Sequence, residues 1–360
     1  MRKLLLNGKF LSASATGVHR VAEEMIRALD ARLAETGEAT ATILHPRDIR
    51  RELPLRAIPH QRVGRSVGPL WEQTELPRAA ADGLLVNLCN LGPVAARNAV
   101  TMIHDAQVRD APASYSAPFR AYYNAIQPVI GRRHRMILSV SDFSRRALAG
   151  HRIAPRERIR VVRNGVDHVR RVPPDRGAAR ALGFKPGGFA LAPGTAQHHK
   201  NIAMLIDAFR DPLLADTPLV LFGDDPPGAI SRDAPPNVVS VGRVSDAVLF
   251  GLMGDCAAFA APSLTEGFGL PPLEAMALGA PVVAAPRGAM PEVLADAADY
   301  APPNEPKAWA AALSRLADDP AARRARASVG RARASVYRWS GAAVALLAAL
   351  DAADPIRRAA

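Results

Sequence analysis

Glu266 and Glu274 stand eight positions apart in the stretch APSLTEGFGLPPLEAMALGAPVVAA, residues 261–285, with Gly267-Phe268-Gly269 between them. A carboxylate carries two acceptor oxygens and so matches a vicinal diol with its two donors. The glycines offer main-chain amides, continued by Leu270, to an anion, and they let a phosphate or sugar come close to the backbone. Pro271-Pro272 suits the first turn of a helix, where a missing donor costs nothing, and Gly279 suits its C-terminal cap. This places Glu266 at the end of a strand and Glu274 in the first turn of a helix, both facing one pocket. An anion cradle with two diol readers describes a site for ribose, diphosphate and hexose. A structural alternative stands beside it, since a glutamate in a first helical turn is favourable against the helix dipole without any ligand.

Other residues could join that chemistry. Lys200, in APGTAQHHKNIAML, stands where a helix would begin, although a cation opposes the dipole there. The chain holds 46 basic residues, of which only five are lysine, so a lysine at this position is unusual for it. Gly194 and Thr195 precede it in the same loop. Gly17 lies between the first strand and first helix, where a backbone amide could face an anion. His104 ends an apolar strand and could equally be structural, paired with Asp105. His198-His199 read as loop residues near the phosphates, because no third metal ligand accompanies them. Asp224-Asp225 follows a strand but has no partner that suggests a metal site, so no cofactor and no metal are expected.

The elements that must position these residues alternate along the chain. Strand-like runs KLLLNGKFL, ATATIL, GLLVNL, AVTMIH, MILSVS and RIRVVR are separated by helical patterns, the first with Val18, Val21, Met25 and Leu29 at helical spacing. After Asn164-Gly165 the run VDHVRRVPPDRGAARALGFKPGG is rich in Pro, Gly and Arg, and its start reads as a linker. The alternation then restarts with FALAPG, a helix from Asn201, LVLFG, VVSVG, a helix from Ser245, CAAFAAP, a helix from Pro272 and PVVAA. The expected fold is α/β, with two doubly wound parallel sheets whose strand ends face one cleft.

Composition narrows the partners. The 360 residues are 49% hydrophobic and 22% charged, as in ordinary globular chains of about two domains. Cys89 and Cys256 lack metal-ligand spacing and fit a reducing compartment. The apolar start is short and broken by Asn7, so it reads as a strand and not as a signal peptide. The longest apolar run, GAAVALLAAL, is too short to span a membrane. A net charge of +12 favours anionic partners. Nucleic acid is disfavoured, because aromatic residues are 5% and do not interleave the basic runs. The arginines of RRELPLRAIPHQRVGRSVG and GRRHRM suggest instead a basic face for an anionic lipid surface.

The string SLTEGFGLPPLEAMALGAPVVA resembles the nucleotide-sugar signature of retaining glycosyltransferases of family four, which have the GT-B fold. TGVHRV, IHD at 103–105, SVSDFSR at 139–145, NGVD at 164–167 and VGRVSDAVLFGLMGDCAAFAAPS extend the resemblance. It implies an N-terminal acceptor-side domain over 1–165 and a C-terminal donor domain over 166–339, with a helix at about 340–354 packed back on the first. It implies that Glu274 holds the ribose diol, Glu266 the hexose hydroxyls, and Lys200 the diphosphate. The amides of Gly269 and Leu270 would face the phosphates, and the loop of Gly242, Arg243 and Val244 would border the base. Gly17 would present its backbone to donor or acceptor, and His104 would lie against the hexose.

LWEQTELP, NLCNLGP and IHDA look like segments of bacterial exopolysaccharide mannosyltransferases, which favours GDP-mannose as donor and a lipid-linked oligosaccharide acceptor, although the base-side loop suits UDP as well. The expected location is cytoplasmic, peripheral on the inner face of the membrane. A nucleotide-sugar epimerase, which can share the fold, would need acid and base residues at the sugar ring that the sequence does not offer.

Overall fold

Short apolar runs that are buried on both faces make parallel strands between helices. The computed structural model describes residues 2–14, 16–223 and 233–353. Asp224-Asp225 lies outside these residues. The described chain forms two compact units, one of residues 2–109, 117–165 and 338–353, the other of residues 110–116 and 166–337. Residues 110–116 therefore group with the second unit, although the chain on either side of them belongs to the first.

The first unit holds β1 (Arg2–Asn7), β2 (Ala39–His45), β3 (His60–Arg62), β4 (Leu84–Asn87), β5 (Ala99–Met102), β6 (Met136–Ser139) and β7 (Ile159–Val161), in the order β3-β2-β1-β4-β5-β6-β7. Every pairing is parallel. The strand β1 stops at Asn7, and the expected continuation KFL is instead a 3-10 turn, Lys9–Ser12. The strand β3 carries only exposed residues and gave no apolar signal. The helix Gly17–Thr36 buries Val21, Met25 and Leu29 as its spacing predicts, while Val18 is half-buried. The helix Trp339–Ala352 packs against it.

A buried polar chain crosses this sheet. The Asn7 amide donates to Asn87 Oδ1 at 2.9 Å and to Glu72 at 3.0 Å, and the Asn87 amide donates to Thr101 Oγ1 at 3.0 Å. Thr101 Oγ1 in turn meets His134 Nδ1 at 2.7 Å. Each member has a partner, as buried polar groups require.

The second unit holds β8 (Ala190–Pro193), β9 (Leu219–Phe222), β10 (Val238–Gly242), β11 (Ala258–Ala261), β12 (Val282–Ala284) and the two-residue β13 (Asp299–Tyr300), in the order β10-β9-β8-β11-β12-β13 and all parallel. In each sheet the strand order reverses beside the first strand, between β1 and β4 and between β8 and β11. Ligands of open parallel sheets lie outside the strand ends at such a reversal.

The stretch read as the start of a linker is ordered. Val166, His168 and Val169 are buried, and Asp167–Arg170 makes a 3-10 turn. Just before it, Gly165 has no room for a side chain, because a Cβ there would lie 2.2 Å from the backbone nitrogen of Trp339. Overpacking against main chain costs about 1–3 kcal/mol. Gly165→Ala should lower stability by that amount, read as an earlier urea midpoint, and an unchanged midpoint would show that the 338–339 backbone yields freely.

Candidate active site

At the reversal in the second sheet, two loops emerge side by side. The loop after β8 carries Gly194 and Thr195 and ends in the 3-10 turn His198–Lys200. Lys200 thus precedes the helix Ile202–Ala208 and does not open it. Between them Asn201 takes φ 58°, and its amide donates to the carbonyls of Pro262 at 3.2 Å and Pro303 at 2.8 Å. The loop after β11 carries Ser263, Glu266 and the glycines. The Leu264 amide donates to the His199 carbonyl at 2.7 Å, so the two loops are stitched along their backbones.

Across this seam Lys200 Nζ lies 2.6 Å from Glu266 Oε1, and the Ser263 hydroxyl donates to the same oxygen at 2.8 Å. Both bonds fall on Oε1, which leaves Oε2 to a further donor. Burial pushes the Glu266 carboxyl up, but the Lys200 ammonium and the bonds from Lys200 and Ser263 outweigh it, and the net shift is downward. Glu266 is therefore an anion at neutral pH, an acceptor for hydroxyl groups. Its backbone is seated on Gly288, whose φ is 62° and whose Cβ would lie 2.4 Å from the Glu266 nitrogen, while the Ala289 amide donates to the Glu266 carbonyl at 2.9 Å.

His199 is tied to the segment that joins this unit from earlier in the chain. Its backbone amide donates to Ser114 Oγ at 3.0 Å, its Nδ1 lies 2.9 Å from the same oxygen, and its ring stacks on Tyr115. Ser114 Oγ accepts from the amide and shares a further hydrogen with Nδ1. Burial first, then the Lys200 ammonium, lowers the His199 pKa to about 4. His198-His199 is thus more than a pair of loop residues, since His199 braces the lysine turn.

The helix after the glycine loop runs Leu270–Leu278, with Gly269 as its N-cap at φ 83° and Gly279 as its C-cap. Pro271 and Pro272 fall in its first turn as the sequence predicts. Glu274 does not: it is the fifth helical residue and lies in the second turn, because the helix begins two residues before Pro272. It is buried, and His168 Nε2 lies 2.8 Å from its Oε1. The two carboxylates therefore have separate partners. Phe268 is buried edge-on to Tyr337 with ring centroids 5.7 Å apart, so within the loop it serves as an anchor while its neighbours Gly267 and Gly269 carry backbone.

Gly242 ends β10 with φ 65°, and its carbonyl accepts from the Gly223 amide at 2.9 Å. Arg243 and Val244 follow, and Ser245 caps the helix Asp246–Asp255. This loop shares the carboxyl edge of the sheet with those after β8 and β11, two strands away from β8.

Gly17 and His104 belong to the first unit. A Cβ on Gly17 would meet nothing within 4 Å among the described residues, so packing does not demand glycine at this helix start. His104 follows β5, is buried, and bonds through Nε2 to the Leu88 carbonyl at 2.8 Å, not to Asp105. Burial lowers its pKa to about 4. Since a carbonyl only accepts, Nε2 carries the proton and Nδ1 is an acceptor. Neutral His104 can receive a hydroxyl proton in a hydrogen bond but cannot supply one as an acid at neutral pH. Among the described residues no three His, Cys, Asp or Glu side chains are placed to hold a metal ion.

Residues 189–319 match the family described as Glycosyl transferases group 1. Among curated relatives, a D-inositol 3-phosphate glycosyltransferase of Actinosynnema mirum is 35% identical over 64% of this chain and 60% of its own. An O-antigen chain mannosyltransferase B of Escherichia coli is 29% identical over 67% of each. The chain thus spans less than two thirds of the length of the first of these. Among solved structures, sucrose-phosphate synthase of Thermosynechococcus elongatus superposes with a TM-score of 0.74 at 19% identity, covering 98% of this chain and 100% of that one. The HepE protein of Anabaena, solved with UDP and glucose, gives 0.72 at 18% identity with the same coverage. These likenesses show the fold, which is GT-B. Over residues 189–319 the chain is similar to the group 1, family-four-type glycosyltransferases.

Sequence reasoning missed three contributors to the candidate site. His168 was hidden in an apparent linker, Ser114 lies 85 positions from its partner His199, and Gly288 carries no chemistry of its own. Only the glycine, in APRGAMPE after a strand, left a signal, that of a close backbone approach.

The His199 pKa also makes stability depend on pH. An imidazole held at about 4 when folded and near 6.5 when unfolded takes up a proton on unfolding between those values. Its contribution is present above pH 6.5 and is lost as pH falls toward 4. His199→Asn can keep the Ser114 bond without titrating. Between pH 7 and pH 5 the wild type should lose up to about 2 kcal/mol more than this variant, measured by thermal unfolding at both pH values. Equal losses would mean that His199 does not titrate in this range.

Proposed function

We propose that this chain transfers a hexose from a nucleotide diphosphate sugar to an acceptor hydroxyl with retention of configuration at the sugar. The Lys200–Glu266 pair, stitched between two loops at the reversal of a parallel sheet, carries this reading. It sets a cation and a hydroxyl acceptor side by side, as a sugar bonded to a phosphate requires. When the anomeric C–O bond breaks, its electron pair goes to the diphosphate oxygen, and negative charge grows there. Lys200 has three donors, of which Glu266 takes one, and the amides at Gly269 and Leu270 lie at a positive helix end. Such preorganised groups are worth most in a site that excludes water. Glu266 receives hexose hydroxyls, Glu274 the ribose diol, Gly194, Thr195 and Gly267 line the phosphates, and Gly242 to Val244 border the base. Gly17 leaves an open helix N-terminus for an anion, and His104 Nδ1 accepts from the hexose.

GDP-mannose is the donor we favour and a lipid-linked oligosaccharide the acceptor, in line with the O-antigen mannosyltransferase relative and with the segments LWEQTELP, NLCNLGP and IHDA. A UDP-sugar is the second reading, supported by the likeness to a protein solved with UDP. A thermal-shift screen of GDP-, UDP- and ADP-sugars decides between them, because a donor that binds the native state raises its melting temperature.

Lys200→Ala should cost roughly 30- to 1000-fold in turnover, the value of one charge-assisted contact to developing charge. Glu266→Gln should lose mainly hexose-dependent affinity, whereas Glu274→Gln should also weaken the free nucleotide. Turnover should survive EDTA in the wild type. Loss on chelation, restored by magnesium or manganese, would overturn the reliance on Lys200 and direct attention to Asp224-Asp225.

The acceptor reading gives the basic first unit a membrane role. Arg47, Arg50, Arg56, Arg62 and Arg65 are exposed, beside Val67 at 39% and Leu70 at 63% exposure. Arg51 is not part of that face, since its guanidinium is bound to the carbonyls of Phe10 and Ala13 and to Glu23. No described helix is long and apolar enough to cross a membrane. Sedimentation with anionic liposomes should fall as salt rises. No binding even at low ionic strength would favour an acceptor free in solution.

A further inference from the structure

Glu274 is a three-torsion side chain in a buried place, and an unanchored carboxylate there would be costly and free to turn. Among the described residues it has one anchor. His168, on the 3-10 turn Asp167–Arg170, is 2% exposed, and its Nε2 meets Glu274 Oε1 at 2.8 Å. The two residues are 106 positions apart, so the pairing is made by the fold and not by local sequence. A carboxylate only accepts, so the nitrogen facing it carries the hydrogen. That bond engages one carboxylate oxygen, Oε1. Glu266 is likewise held through Oε1, by Lys200 and Ser263.

We infer that His168 is a positioning residue that holds the Glu274 carboxylate in the orientation that receives the ribose diol of the nucleotide. The inference rests on the ribose role proposed above for Glu274. His168 itself touches neither sugar nor phosphate. Its effect is confined to the ribose hydroxyls, and this separates it from a residue that merely supports the fold.

The probes are GDP or UDP, whichever binds more tightly, and the matching 2′,3′-dideoxynucleoside diphosphate. Calorimetric affinities are measured for the wild type, His168→Ala, His168→Met, His168→Gln and Glu274→Gln. Methionine fills the buried volume without a donor and serves where alanine does not fold, while glutamine can restore a donor near the Nε2 position. The wild type should prefer the ribonucleotide. In the Ala and Met variants that preference should shrink roughly 10-fold, the worth of a hydrogen bond to a charged group, while dideoxy affinity holds within about 2-fold of wild type. His168→Gln should recover most of the preference. An unchanged preference in the Ala and Met variants, or equal losses for both nucleotides, would overturn the positioning role while leaving Glu274 as the ribose reader. If Glu274→Gln itself kept the full preference, the ribose reading would fall, and the inference with it.

Discussion

Parallel strands all point their carboxyl ends the same way, and in the second sheet β8 and β11 are neighbours whose chains then depart to opposite sides. The two loops leaving them must open a crevice at the one place where no crossing connection covers the sheet. Everything in the candidate site follows from that constraint. The lysine turn ends one loop, the glutamate and glycines occupy the other, and the stitching of Leu264 to His199 and of Asn201 to Pro262 keeps the gap narrow enough for one ion pair to span it.

That ion pair is poor evidence for stability. Half-buried charges give up hydration, and their mutual attraction offsets only part of the loss unless further hydrogen bonds complete the set. Ser263 supplies one such bond, and the loops hold the geometry. A cation kept beside a carboxylate in this way is already desolvated in part.

The sheets, their parallel sense and the Gly-Phe-Gly loop were legible because each rests on local signals: apolar runs of strand length, prolines at a helix start, a glycine at its end. Glu266 and Lys200 were legible through residue type and motif. What escaped depends on distance along the chain. His168 sits in a run rich in Pro, Gly and Arg that resembles solvated linker, and its burial follows only from a partner 106 residues on. The helix holding Glu274 starts at Leu270, so the two prolines lie inside its first turn and the glutamate sits two residues deeper than expected, in the second turn. The strand β3 is wholly exposed, and β13 has two residues, too short for any pattern.

The small segment 110–116 changes what counts as a domain in this chain. The backbone passes between the two units four times, at 109/110, 116/117, 165/166 and 337/338. A fragment beginning at Val166 would retain all of residues 189–319, which match the family model, yet would lack Ser114 and Tyr115, the residues that brace His199. The half that carries the recognisable signature is thus not a self-sufficient module. Recombination that exchanges the second unit at the 165/166 junction would deliver the lysine turn without its brace, and any homologous exchange that preserves it must carry the seven-residue segment 110–116 along with it.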